Sequence, residues 1–150
     1  MKLDEFNLER FLTAQPCTYT DALKELRAGK KRTHWIWYIF PQLRGLGVSS
    51  TSHTYGLASI REAQAYLGHP VLGGRLKEAI HAMLDQKSTN AGEILGELDA
   101  LKFKSCLTLF SLAAPSEKIF GCALERFFEG DLDPQTLKLL KITLNVEPKS

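Results

Sequence analysis

The chain has 150 residues, of which 44% are hydrophobic and 24% are charged. This balance is typical of a folded domain and excludes a wholly disordered chain. A chain of this length can bury roughly two-thirds of its unfolded surface, so residues 1–150 are expected to form one domain without a metal or a disulfide. No apolar run is long enough to cross a membrane, and the first residues lack the apolar core of a signal peptide. A cytoplasmic location is therefore expected.

The distribution of charge is more informative than the net charge of +2. Between Asp21 and Arg44, six Lys and Arg residues accompany two acidic residues, so this stretch carries +4 and the rest of the chain −2. A basic stretch in a near-neutral protein favours a small anionic ligand over a broad nucleic-acid surface, and nucleic-acid binding is not expected. The alternative is a solvated basic loop without a ligand.

The cysteines and histidines give no sign of a metal site or a cofactor. Cys17, Cys106 and Cys122 are odd in number and form no CxxC pair. Cys106 and Cys122 lie among apolar residues, so we interpret them as small buried side chains in a reducing compartment. The four histidines lack metal-binding spacing, and no P-loop or GxSxG motif is present.

Capping signals and apolar spacing divide the chain into helices. Asp4 is the predicted N-cap of the first helix, with Leu3 and Leu8 in the positions of a hydrophobic staple, and Pro16 is expected to end it. A second helix is expected to end at Gly29. Further helices are predicted after the capping box of Ser59 and Glu62, over Leu72–Leu84, over Leu98–Ala113, after Ser116, and after Asp133-Pro134 with Leu137, Leu140 and Leu144 facing the core.

These patterns predict an all-α fold, a compact single-domain bundle of about six to eight helices around a buried central helix at Leu98–Ala113. One segment, His34–Phe40, is aromatic and β-branched, and its propensity alone favours a strand. Because the sequence offers no convincing partner strand, we interpret the segment as a short buried helix. It should end at Phe40, which precedes Pro41.

The stretch from Lys30 to Tyr55 has the greatest concentration of residues that could bind a ligand. Its aromatic rings offer flat faces for stacking, its arginines can hold a phosphate or carboxylate through paired hydrogen bonds, and its histidine and glutamine can orient a ligand or transfer protons. A Gly-Leu-Gly turn lies among them but lacks the third glycine of a dinucleotide motif. The alternative is that the tryptophans are simply core. The candidate residues here are Arg32, His34, Trp35, Trp37, Gln42 and Arg44.

A second polar group lies on the predicted central helix. Lys102, Ser105 and Thr108 are three residues apart, so they form a stripe that faces either solvent or an internal cavity. If the stripe faces a cavity, the aromatic segment is its natural opposite wall. Lys102 and Ser105 are therefore added to the candidate ligand-binding residues.

Four blocks of sequence, residues 27–47, 59–76, 99–110 and 127–137, resemble the bacterial domain-of-unknown-function family 1810. The resemblance covers nearly the whole chain. It implies a compact, mainly helical domain from the bacterial cytosol, and it carries no catalytic role with it. Some members are labelled calpastatin, a label that these residues do not support. The family pattern emphasises His34, Trp35, Trp37, Gln42, Arg44, Tyr66, His69 and Lys102.

These observations favour a pocket for a small, planar, anionic ligand such as a nucleotide or an ADP-ribose-like compound, for binding or for catalysis. The alternative is a protein-interaction module without a small-molecule site, in which the aromatic segment is core or an exposed apolar patch. Convergence of the candidate side chains on one concave pocket would distinguish the two. The sequence leaves the oligomeric state open.

Overall fold

A computed structural model describes the backbone of residues 4–146 and the side chains of residues 4–141. Within these limits the protein is all-α, with nine helices and no β-strand. No helix in the described part of the chain is long and apolar enough to cross a membrane. The helices are α1 (Glu9–Arg27), α2 (Ile36–Ile39), α3 (Ser50–Tyr55), α4 (Ile60–Gly68), α5 (Leu72–Leu84), α6 (Ala91–Leu95), α7 (Glu97–Ala113), α8 (Lys118–Phe128) and α9 (Pro134–Val146).

The predicted caps are present at the starts of α4 and α9, whereas α1 begins at Glu9 with Leu8, and not Asp4, in the N-cap position. The Ser59 hydroxyl accepts a hydrogen bond from the Glu62 backbone N–H (3.1 Å) at the start of α4. The Asp133 carboxylate accepts the N–H of Thr136 (2.9 Å) at the start of α9. Each bond satisfies a backbone donor that the first turn of a helix leaves unpaired. Helix α5 spans the predicted Leu72–Leu84.

The predicted break at Pro16 is wrong, because α1 continues through it to Arg27. Proline at this position removes the hydrogen bond from its nitrogen to the carbonyl of Leu12, and its ring crowds that carbonyl. Pro16 is exposed, while Phe11, Gln15 and Leu26 are buried on either side of it. Packing of one continuous buried face therefore outweighs the local cost of the proline.

The aromatic segment forms the short buried helix α2, as predicted. Trp35 and Trp37 are 1% and 6% exposed, so both rings belong to the core and form no exposed patch. After α2 the chain passes through Leu43, which forms an isolated parallel bridge with Leu57. Two backbone bonds hold this bridge, Arg44 N–H to Leu57 O (2.7 Å) and Leu57 N–H to Gln42 O (2.8 Å).

Helix α7 packs against α2, α4, α6, α8 and α9. Its side chains at Phe103, Leu107 and Phe110 are fully buried. Its N-terminal half also presents two apolar side chains to solvent, Leu98 (75% exposed) and Leu101 (59% exposed). Helix α7 therefore contributes both to the core and to the protein surface.

The structure corrects several smaller predictions. Cys122 is exposed, as is Cys17, and only Cys106 is buried, where desolvation raises the pKa of its thiol. Ser116 does not cap α8, whose N-cap position is occupied by Glu117 with no side-chain cap bond. Near the chain ends, Leu140 is buried and Leu137 partly buried, whereas Leu3 and the Leu144 side chain lie outside the described residues.

Candidate functional site

Four of the predicted site residues line one surface depression of about 220 Å³, which we call the Lys102 depression. Its walls come from the chain around α2, from the start of α3 and from the first turns of α7. The predicted residues are His34, Trp35, Trp37 and Lys102, and they are joined by Lys31, Asp99 and the hydroxyl-bearing Ser49 and Thr51. The aromatic segment and the polar part of α7 are thus opposite walls of one concavity.

Two lysines share one carboxylate at the wall of the Lys102 depression. The Lys31 Nζ lies 2.7 Å from Asp99 Oδ2, and the Lys102 Nζ lies 3.4 Å from Asp99 Oδ1. The Lys31 side chain is 7% exposed and that of Lys102 is 40% exposed. Two lysines therefore share a single carboxylate. Lys102, which has the longer contact with Asp99, is also the more exposed of the two lysines.

Lys31 is fixed in position by several contacts. Its Nζ donates a hydrogen bond to the carbonyl of Thr33 (2.6 Å) and lies 5.0 Å from the centroid of the Trp35 ring. Its backbone N–H donates to the carbonyl of Ile94 (2.7 Å). An ammonium group over an indole face is stabilised by the ring's electron density. Lys31 is therefore a preformed part of the wall.

The sequence predicted no role for Glu25. The Glu25 carboxylate is buried behind the wall of the depression. It accepts hydrogen bonds from the Arg32 N–H (2.7 Å), the Thr33 N–H (3.0 Å), the Thr33 hydroxyl (2.6 Å) and the Trp35 indole N–H (2.9 Å). Burial alone would raise the pKa of Glu25, but these four bonds to its ionised form outweigh burial and lower the pKa to about 2. The signal in the sequence was an acidic residue on the buried face of a helix, next to Leu26.

Arg32, Gln42 and Arg44 do not line the Lys102 depression. Arg32 is exposed and uses its backbone N–H to bind Glu25. The Gln42 side chain is buried, and its Nε2 donates a long hydrogen bond of 3.4 Å to the carbonyl of Phe40. The Arg44 Nε donates to the carbonyl of His53 (2.9 Å), which ties the start of the 44–56 segment to α3.

His69 and Ser105 also lie elsewhere. The Nδ1 of His69 accepts the N–H groups of Val71 (3.1 Å) and Leu72 (3.2 Å), so its imidazole caps α5. His69 lines a different depression of about 580 Å³ beside the start of α1. The Ser105 hydroxyl is buried and donates to the carbonyl of Leu101 within α7 (3.1 Å). Such a bond satisfies the hydroxyl locally without a ligand.

A larger depression, of about 770 Å³, lies along the outer face of α8 and contains none of the predicted site residues. Its lining includes Cys122, Lys118 and Arg126 together with Glu117 and Glu125, so its charges balance. Across the described residues, no group of three or more His, Cys, Asp or Glu side chains is placed to hold a metal ion.

Comparison with known proteins identifies one structural relative. The chain is 43% identical to a conserved hypothetical protein from Mycobacterium tuberculosis, with a TM-score of 0.89 over 92% of this chain and 99% of that one. No curated protein matches the chain. The family model described as a protein of unknown function (DUF1810) matches residues 5–140. Since this match spans most of the sequence, the chain belongs to the DUF1810 family.

Proposed function

We propose that the protein binds a small anionic ligand in the Lys102 depression. The observation that carries the proposal is the pairing of two lysines, Lys31 and Lys102, with the single carboxylate of Asp99. This excess of positive charge lies in a concavity, where low-dielectric walls strengthen the attraction of an anion. His34, which is exposed, and the hydroxyls of Ser49 and Thr51 supply further hydrogen-bonding groups at the same place.

The size of the depression defines how such a ligand binds. Pockets that enclose whole small molecules usually measure about 300–1,000 Å³, and the Lys102 depression measures about 220 Å³. It therefore suits the phosphate or carboxylate of a ligand, or one planar ring. A nucleotide or an ADP-ribose-like compound would place its anionic group there and leave the remainder on the surface.

Charge, and not stacking, dominates recognition in this proposal. Trp35 and Trp37 contribute to the wall but are almost fully buried, so neither ring offers a free face on which a ligand could stack. Lys102 is the principal ligand contact because its side chain is 40% exposed and its contact with Asp99 is long, at 3.4 Å. A charge-assisted hydrogen bond to an anion would replace that weak contact.

Isothermal titration calorimetry with inorganic phosphate, AMP and ADP-ribose tests the proposal. Lys102→Ala should weaken binding by about tenfold, the usual effect of losing one charged hydrogen bond. Lys87→Ala is the matched control, because it removes the same charge from an exposed residue outside the depression. Absence of binding by the wild-type protein, or equal losses in the two variants, would refute the proposal.

A second candidate function, docking of a protein partner, rests on Leu98 and Leu101. These side chains are three residues apart on α7 and exposed by 75% and 59%, so they form one apolar face. If a second copy of the chain covers this face, sedimentation velocity should show association that increases with concentration. The double variant Leu98→Asn, Leu101→Asn should then remain monomeric at every concentration. A wild-type monomer at all concentrations would exclude self-association through this face.

A further inference from the structure

We infer that Glu25 is a positioning residue for the Lys102 depression, because its buried carboxylate holds the loop that presents Lys31 and His34. This inference rests on the proposed function. Glu25 does not line the depression itself, so it acts through residues 31–35, which we call the 31–35 loop.

The hydrogen bonds of Glu25 are distributed along this loop. They reach Arg32 and Thr33 through the backbone, Thr33 again through its hydroxyl, and Trp35 through its indole. The two loop residues that do not contact Glu25 are Lys31 and His34, and both line the depression. Each is flanked by a residue that Glu25 binds, and Trp35, which Glu25 also binds, lines the depression as well.

Apart from the contacts of Lys31 with the Ile94 carbonyl, Asp99 and the Trp35 ring, the loop is held by the Glu25 carboxylate. The loop contains no helical residue before Ile36, so its backbone donors are not satisfied by a regular ladder. The Glu25 carboxylate satisfies two of them, and buried backbone donors without a partner are costly. Removal of the carboxylate would therefore loosen residues 32–35, which include His34 and the Thr33 carbonyl that accepts a hydrogen bond from the Lys31 ammonium.

Loss of the Glu25 charge and loss of its hydrogen bonds have opposite expected effects on phosphate affinity, so the inference can be tested. The carboxylate is negative, so its charge alone disfavours an anion nearby and its loss would strengthen binding. Its hydrogen bonds hold the binding groups in place, so their loss would weaken binding. Glu25→Ala removes both effects. Glu25→Gln removes the charge but leaves an oxygen that accepts three of the bonds and an amide that can donate to the Thr33 hydroxyl.

The test measures phosphate affinity by calorimetry at a temperature where each variant is folded. Glu25→Ala should bind phosphate about tenfold more weakly than the wild type, as is usual when a supporting residue is lost. Glu25→Gln should bind at least as tightly as the wild type. Glu62→Ala is the matched control, because Glu62 is also a buried carboxylate with several hydrogen bonds but lies outside the depression. Its phosphate affinity should be unchanged even though the protein is less stable.

The indole N–H resonances give a readout that does not depend on the ligand. The chain has two tryptophans, so an ¹H–¹⁵N spectrum shows two indole signals. In Glu25→Ala the Trp35 signal should shift and exchange faster with solvent, since its acceptor is gone. If Glu25→Ala does not fold, Thr33→Val removes one anchoring bond and should weaken phosphate binding to a smaller extent.

The outcomes separate the inference from the proposed function. If the wild-type protein binds none of phosphate, AMP and ADP-ribose, the proposed function fails and the inference fails with it. If the wild type binds and Glu25→Ala binds equally well or more tightly, only the inference is overturned. Equal losses in Glu25→Ala and Glu62→Ala would assign the effect to stability and would also overturn it.

Discussion

The guanidinium of Arg10 and the carboxylate of Glu62 form a buried ion pair, with Nη2 and Oε2 2.6 Å apart, that joins α1 to α4. The same guanidinium donates hydrogen bonds to the carbonyls of Phe6, Thr54 and Gly56. Arg10 therefore links the start of α1 both to α4 and to residues 54–56, which precede α4. A buried charge with this many partners is costly to leave unpaired.

Arg10→Ala should lower the free energy of unfolding by about 3–5 kcal/mol, because Glu62 would keep a buried charge without its counterion. Arg61→Ala is the control, since the ion pair of Arg61 with Glu5 is mostly exposed, and such pairs contribute about 0–1 kcal/mol. Urea unfolding followed by circular dichroism measures both. A loss below about 1 kcal/mol for Arg10→Ala would contradict the role assigned to this pair.

Asp99→Asn should strengthen phosphate binding, because the carboxylate competes with the ligand for Lys31 and Lys102. Two unit charges about 5 Å apart in water interact by about 0.8 kcal/mol, so removal of the charge predicts a gain of roughly fourfold. Calorimetry at low ionic strength measures it, with the exposed Asp131→Asn as control for total charge. Weaker binding by Asp99→Asn would show that Asp99 acts mainly by holding Lys31 in place.

The stability of the protein should fall in acid in part because of Glu25. Its pKa in the folded protein is about 2, against an ordinary value of 4.5, so the stabilisation is complete above pH 4.5 and is lost as the pH falls toward 2. Urea unfolding at several pH values between 6 and 3 should show a steeper loss for the wild type than for Glu25→Gln. Parallel curves would mean that the carboxylate is not preferentially ionised in the folded state.

Arg44→Ala should leave phosphate affinity unchanged within about twofold, since the side chain lies outside the Lys102 depression and its Nε is bonded to the carbonyl of His53. Loss of that hydrogen bond should cost about 1 kcal/mol of stability. The sequence analysis expected Arg44 to hold the anion, so this variant separates the two assignments. Calorimetry with phosphate and a thermal melt on the same sample give both quantities. A tenfold loss of affinity would show instead that Arg44 takes part in binding the anion.

The parts of the fold that were predicted correctly are those with redundant local signals. The bounds of α4 follow from a cap and an apolar stripe that agree, and those of α5 follow from an apolar stripe that repeats along the whole helix. The short helices α3 and α6 were missed because each has about one turn, too few residues for periodicity to show, although Ser49 and Asn90 cap them. The prediction that the helix ends at Pro16 was wrong because packing of a continuous buried face outweighs the local cost of the proline.

Some residues that line or support the depression were selected from the sequence and others were not, and the reasons are physical. His34 and Lys102 line the same depression, whereas Ser105, the next residue of the predicted polar stripe, is hydrogen-bonded within α7. Glu25 was counted only as a charge, because nothing local shows that a glutamate on α1 binds the backbone of residues seven and eight positions later. Asp99 was passed over since its meaning depends on Lys31, which approaches it only in the folded chain.

The isolated bridge between Leu43 and Leu57 closes a loop of chain whose ends meet at two backbone hydrogen bonds. Ser49 and Thr51, which line one rim of the Lys102 depression, lie within this Ω-like loop. Val48, near the tip of the loop, is fully exposed. We expect residues inserted at Val48 to leave the neck of the loop undisturbed, because Val48 is fully exposed. The reach of this rim can then be altered by design while the helical scaffold stays the same.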